Sequence, residues 1–259
     1  MPKVTIKEII KKKNKTPIVC TTAYSKTIAK IADKYCEIIL VGDSLGMVLY
    51  GMESTRNVKI QTMILHAKTV KKFAKKSLVI FDMPYKTYTN KFTAYKNAKK
   101  VIKLTKCDAV KLEGGKNIAT TIKYLTKRKI PVMGHIGLLP QFSIDFKVKG
   151  KSLIQEEQIL NDAKAVSQSG VFAIVVECVI ESLAKKITKS VSVPTIGIGA
   201  SKYCDGQIIV SDDILGLSDF SPRFVKQYSN LQKIIERCMK NYSTDVRQRR
   251  FPSYKNVYK

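Results

Sequence analysis

The chain has 259 residues and carries 47 Lys and Arg against 20 Asp and Glu, a formal charge of +27 at pH 7. Hydrophobic residues at 44% supply a sizeable core and exclude disorder as the overall state. No apolar run approaches the ~18 residues that a membrane-spanning helix needs, so the sequence reads as a soluble protein of one large domain.

The basic excess tests poorly as a nucleic-acid surface. Only seven of the basic residues are Arg, whereas base reading and bidentate phosphate contacts favour Arg. Residues 1–15 hold six lysines and residues 247–259 five basic groups, so most of the surplus is spread through the body of the chain as solvated helix faces. The basic N-terminus is not followed by an apolar stretch and cleavage site, and no secretory leader is expected. The six cysteines are scattered without CxxC spacing, which fits a reduced, cytoplasmic compartment.

In chain order, β-rich runs fall at Pro17–Ala23, Glu37–Gly42, Leu78–Met83, Ala109–Gly114, Pro131–Leu138, Phe172–Cys178, Pro194–Gly199 and Gln207–Ser211. Helical periodicity lies between them: Ala94, Ala98, Val101 and Ile102 share one face while Lys96, Lys99, Lys100 and Lys103 share the other. A second stripe, Ile118, Ile122 and Leu125, ends at basic residues 127–129, and a third runs from Gln155 to a stop at Gly170. Alternating strands and helices, with strands apolar on both faces, point to a parallel sheet covered by helices; eight repeats favour a closed (β/α)8 TIM barrel. The spacing predicts one domain over residues 1–240, closed by a helix from Phe224 to Met239, with 241–259 as a loose basic tail.

In such a barrel the site forms at the C-terminal strand ends. Polar residues interrupt the apolar runs there: Asp43 and Ser44, Asp82, Lys111 and Glu113, His135, and Glu177. Lys111 and Glu113 are two apart on a strand and share a face, which suits a structural ion pair as well as a site. Asp43, Asp82 and Glu113 at one rim would repel one another unless a cation lies between them, and an all-oxygen donor set suits Mg²⁺ better than Zn²⁺. Asp43 before Ser44 equally suits a helix N-cap, Asp82 before Met83-Pro84 a turn, and His135 a hydrogen-bonded core histidine. His66 falls in a helical pattern and reads as structural. Glu177 closes an apolar run with no basic residue near it in sequence, and a carboxylate at such a desolvated strand end suits a general base. Gly197-Ile-Gly199 lacks the spacing of a dinucleotide fingerprint.

Several blocks together resemble the ketopantoate hydroxymethyltransferase family: Thr22-Ala-Tyr24, Leu40-Val-Gly-Asp-Ser-Leu-Gly-Met47, Ser54-Thr55, Val110-Lys-Leu-Glu-Gly-Gly115, Pro131-Val-Met-Gly-His-Ile-Gly137 with Pro140-Gln141, Lys147-Val-Lys-Gly150, Val176-Glu-Cys-Val179, Pro194-Thr-Ile-Gly-Ile-Gly-Ala200 and Asp205-Gly-Gln207. The match is collinear from about residue 3 to residue 240. The resemblance implies a Mg²⁺-dependent barrel, usually a homodecamer, that transfers a hydroxymethyl group from 5,10-methylenetetrahydrofolate to 3-methyl-2-oxobutanoate. It implies Asp43, Asp82 and Glu113 at the metal, Asp43, Ser44, Asp82 and Lys111 at the keto acid, Glu177 as proton acceptor and His135 in support. Its partners would be small molecules, with neither nucleic acid nor membrane. Three departures stand out: Ser25 where the family usually has Asp, Arg56-Asn57 in place of Leu-Pro, and a shortened segment between Gln141 and Lys147. Two other readings are a Mg²⁺-dependent 2-oxo-acid carbon-carbon lyase or mutase of the isocitrate-lyase type and a basic nucleic-acid-binding protein. The first typically uses a reactive loop cysteine that this chain lacks; the second predicts a steep fall in affinity with salt.

Overall fold

A computed structural model describes residues 3–143, 146–219 and 222–258. Positions 144 and 145, within the segment expected to be short, lie outside the described residues. Eight parallel strands close into a barrel in sequence order: β1 Ile18–Thr22, β2 Ile38–Val41, β3 Leu78–Asp82, β4 Ala109–Glu113, β5 Val132–Gly137, β6 Ala173–Glu177, β7 Thr195–Ile198 and β8 Gly206–Ile209. Every strand falls inside one of the apolar runs or overlaps it, and β8 pairs with β1 to complete the ring. The helices are α1 Ile6–Lys11, α2 Lys26–Tyr35, α3 Leu45–Tyr50, α4 Ile60–Phe73, α5 Lys91–Thr105, α6 Ala119–Thr126, α7 Leu153–Gln168, α8 Glu181–Ser190, α9 Ser211–Leu215 and α10 Leu231–Arg247. Among the described residues no helix is long and apolar enough to cross a membrane.

Two compact units divide after Ser211. In the second, α10 starts at Leu231, later than the expected Phe224, because Asn230 accepts from the Lys233 N–H at 3.0 Å and sets the N-terminus there. The helix then runs through residue 240 to Arg247, into the segment expected to be a tail.

Period two along the strands builds the first unit from the inside out. Leu78 and Ile80, Ala109, Met133, Ala173 and Val175 point into the barrel and form one buried cluster with Ile18, Cys20, Ile38, Leu40, Ile196 and Ile208. Ile9 of α1 joins that cluster and is fully buried. The opposite strand faces pack with Ala94, Ala98 and Val101 of α5 and Ile122 and Leu125 of α6 in a second cluster. Lys96, Lys99, Lys100 and Lys103 are exposed on the far side of α5, as the stripe requires.

Continuing the inward parity by one step at the C-terminal ends reaches Asp82, Lys111 and Glu113, His135, and Glu177. Register aligns them: Asp82 lies opposite Lys111, Glu113 opposite His135, and Gly137 opposite Glu177. Gly137 sits at φ +91°, and a Cβ there would lie 2.4 Å from the Glu177 carbonyl oxygen. Only glycine lets β5 pass β6 this closely. Gly137→Ala is therefore expected to lose at least ~1–3 kcal/mol of stability, the range for enforced backbone strain, measured by urea unfolding; an unchanged midpoint and slope would contradict the close approach.

Candidate active site

Lys111 is the centre of the barrel mouth. Its ammonium lies 2.8 Å from both Asp82 oxygens and 3.2 Å from Glu113 Oε1, and all three side chains are buried. Burial alone would depress the lysine, but Asp82, Glu113 and Asp43 outweigh it and hold its pKa well above the ordinary value. The closer partner is thus Asp82, across the strand pair, rather than Glu113 on the same strand.

The expected carboxylate convergence is present: ligand atoms of Asp43, Asp82 and Glu113 all lie within 4.8 Å of one another, and each residue is buried. Their protonation differs because their neighbours differ. Burial, then the charges of Asp82 and Glu113, push Asp43 well above the usual carboxylate range against the pull of Lys111 and Gln141. Burial also raises Asp82, with Lys111 opposing it. Glu113 goes the other way, down to about 2, because Lys111 and His135 overcome its burial.

His135 spans two strands' acids. Nδ1 is 3.2 Å from Glu113 Oε1 and Nε2 is 3.3 Å from Glu177 Oε2, yet neither nitrogen has hydrogen-bond alignment, so charge rather than directed bonding holds the ring. Burial would lower the imidazole; Glu113 and Glu177 prevail, against Lys111, and raise it to about 9. Glu177 itself is more open, with 17% of its side chain accessible. It is followed by Cys178 at φ +47°, a left-handed backbone for a non-glycine residue at the end of β6. The Cys178 carbonyl accepts from the Lys149 N–H at 2.7 Å, which ties the loop after β5 to this end.

The alternatives for the two aspartates are answered by their contacts. Asp43 does not cap α3: Ser44 holds the cap position, without a side-chain cap bond, and Asp43 Oδ2 accepts from Gln141 Nε2 at 2.8 Å. Asp82 accepts from Lys111 and, at 3.4 Å, from the Asp43 N–H in the turn after β2. Ser44 Oγ is 2.7 Å from the Tyr24 hydroxyl. His66 is partly structural as expected, its Nδ1 lying 2.7 Å from the Tyr24 carbonyl and its Nε2 2.9 Å from Tyr50 Oη.

Residues from loops, which periodicity does not reach, complete the cluster. Gln141 and Tyr88 are buried within it, and Arg56 Nε donates to the Gln141 carbonyl at 2.9 Å. The one sequence signal for Gln141 was its place in the Pro140-Gln141 block. Arg56 was visible as a departure from the family pattern. Ser25, the other departure within the described residues, accepts from the Ile28 N–H at 3.4 Å and caps α2, the position an Asp would also fill.

Known proteins match this architecture at two depths. The family described as ketopantoate hydroxymethyltransferase matches residues 3–254. The chain belongs to that family. A 3-methyl-2-oxobutanoate hydroxymethyltransferase of Pelagibacter ubique is 54% identical over 253 residues, covering 98% of each chain. One from Rhizobium etli is 50% identical over 248 residues, covering 94% of this chain and 91% of its own. Among solved structures, a phosphonopyruvate hydrolase complexed with oxalate and Mg²⁺ superposes with a TM-score of 0.63 at 11% identity, covering 99% of this chain and 93% of that one. A 2,3-dimethylmalate lyase, described as a PEP mutase/isocitrate lyase superfamily member, gives 0.62 at 11% over 93% and 87%. At that identity the likeness concerns the barrel alone, whereas family membership makes the chain an enzyme, a transferase of pantothenate biosynthesis.

The chain has two histidines, so His135 is open to direct titration. In Mg²⁺-free buffer its imidazole NMR resonance, assigned by its loss in His135→Asn, is expected to titrate near pH 9. Because the folded value lies above the ordinary value of 6.5, the interaction stabilises the fold fully below about that pH and fades as pH rises through about 9. A midpoint near 6.5 would contradict the charge contacts with Glu113 and Glu177.

Proposed function

We propose that the enzyme transfers a hydroxymethyl group from 5,10-methylenetetrahydrofolate to 3-methyl-2-oxobutanoate, forming 2-dehydropantoate. The observation that carries this reading is the convergence of three buried carboxylates beside a fourth, Glu177, on neighbouring barrel strands. Relatives about half identical over nearly the whole chain support the choice of substrates.

The donor set fits a hard divalent cation. Were all four ionised, Asp43, Asp82, Glu113 and Glu177 set against Lys111 and a protonated His135 would leave two negative charges uncompensated, and the upward shifts of Asp43 and Asp82 express that crowding of acids. The three metal-competent groups offer oxygen only. Asp43, Asp82 and Glu113 would hold Mg²⁺, which when bound supplies positive charge where negative charge develops on the keto-acid oxygens.

The chain's own residues do the rest. Glu177, the most accessible of the acids, takes the proton from carbon 3 of the keto acid. His135, 3.3 Å from Glu177 Oε2, fixes that carboxylate and carries the charge opposite it. Lys111 lends its ammonium to the anionic end of the substrate while staying anchored on Asp82 and Glu113. Ser44, held by the Tyr24 hydroxyl, contacts the keto acid from the rim. Carbon 3 then bonds to the folate-borne methylene carbon as one folate C–N bond breaks, and water displaces the second folate nitrogen to leave its oxygen as the new hydroxyl; the proton held by Glu177 and the remaining water proton end on the two freed nitrogens, and no electron-transfer cofactor is required.

Solvent deuterium exchange at carbon 3, followed by proton NMR without folate, isolates the first step. Exchange is expected to need Mg²⁺ and to slow by about 10²–10⁴-fold in Glu177→Gln, the usual worth of a positioned general base. Undiminished exchange in that variant would remove Glu177 from the role. Asp82→Ala is expected to raise the Mg²⁺ concentration needed for half-maximal exchange, and an unchanged requirement would remove Asp82 from the ligand set.

A further inference from the structure

None of the roles above uses Gln141, which is fully buried in the loop after β5 and is held by three partners through its side chain and two through its backbone. Its Nε2 donates to Asp43 Oδ2 at 2.8 Å and to the Met83 carbonyl at 3.0 Å, while its Oε1 accepts from the Tyr88 hydroxyl. Its backbone N–H donates to Glu113 Oε2 at 3.2 Å, and its backbone carbonyl accepts from Arg56 Nε. The amide has one tenable orientation. Turned over, its oxygen would face the Met83 carbonyl, an acceptor that has no proton to give.

One residue therefore joins a carboxylate after β2 to one on β4. Gln141 ties Oδ2 of Asp43 and Oε2 of Glu113, whose Oε1 is held in turn by Lys111, so the two carboxylates are fixed relative to one another. Tyr88 locks the side chain from behind. Arg56, whose guanidinium also lies 5.5 Å from the Tyr85 ring centroid, locks the backbone from the rim.

We propose that Gln141 is the positioning residue that holds Asp43 and Glu113 in place for the divalent cation, with Tyr88 fixing its amide. The inference rests on the metal reading given above. Hydrogen-bonded partners of metal-ligating carboxylates typically carry 10–100-fold in metal affinity, and that is the effect expected here.

The test is calorimetric titration of the intact protein with Mg²⁺ alone, beside the rate measured at graded Mg²⁺. Gln141→Leu is expected to bind Mg²⁺ about 10–100-fold more weakly, with kcat largely recovered at saturating Mg²⁺. Tyr88→Phe leaves the amide in place but frees its orientation; about a two- to tenfold loss of affinity is expected, the worth of one neutral hydrogen bond. Affinity of Gln141→Leu equal to that of the parent overturns the proposal, as does a kcat defect that saturating Mg²⁺ does not relieve. If Gln141→Leu fails to fold, Tyr88→Phe decides: weaker binding supports the positioning role and unchanged binding overturns it. A parent protein that binds no Mg²⁺ overturns the metal reading and this proposal with it, a result distinct from a parent that binds and a variant that binds equally well.

Discussion

An ammonium group buried in a protein interior must be paired, and Lys111, only 4% exposed, is paired twice. Removing one partner of such a buried pair leaves a charge uncompensated at a cost of about 3–5 kcal/mol. The pairing and the strand register support each other. Asp82 lies opposite Lys111 across β3 and β4, and a slip of one residue would turn Lys111 and Glu113 out into the helix layer. Two acids bound to one lysine still leave an excess of acid at the mouth, and it is that excess, with burial, that pushes Asp43 after β2 upward. The chemistry proposed for the site draws on this imbalance.

Below the charged layer the barrel is apolar, and the division of labour is spatial. Ile9, Ile80, Met133 and Val175 fill the interior below the strand ends, so the apolar core is complete without the charged layer. This freedom permits an arrangement that is electrostatically poor when considered alone: Asp43 is held above the ordinary carboxylate range by burial and by its neighbours. Perturbed acids of this kind mark functional sites more often than structural ones. The loops then adjust the layer. Gln141 reaches from the loop after β5 to Asp43, and left-handed backbone at Gly137 and Cys178 marks where β5 and β6 end, next to the contact of Glu177 with His135.

What could be read in advance follows from this geometry. Strand runs are continuous and apolar because both faces are buried, so all eight were legible, and inward parity singled out Asp82, Lys111, Glu113, His135 and Glu177 as polar intrusions. Whether Lys111 prefers Asp82 or Glu113 was not legible, since it depends on cross-strand register. Asp43 was ambiguous between cap and site because both uses call for Asp at a strand-to-helix turn; only the contact with Gln141 separates them. Gln141 and Tyr88 belong to irregular segments, where no period tells which side a residue faces. The start of α10 was misplaced for a related reason: the apolar pattern from Phe224 onward does not show that Asn230 supplies the cap.

The two signs of charge in the molecule bear on how the keto acid meets the site. Lysines such as Lys96, Lys99, Lys100 and Lys103 lie exposed on the outer helices, so the protein as a whole attracts anions. Screening limits that attraction to about 8 Å at physiological ionic strength, so it brings an anionic keto acid to the surface without carrying it into the mouth. There the acids outnumber the cations, and the local field opposes the same substrate. A divalent cation held by Asp43, Asp82 and Glu113 would favour the ionised form of all three and offset the charge they then carry. Under the proposed chemistry the keto acid would therefore meet Lys111 and a carboxylate set whose charge a bound cation offsets, and the basic exterior acts only on the approach to the mouth.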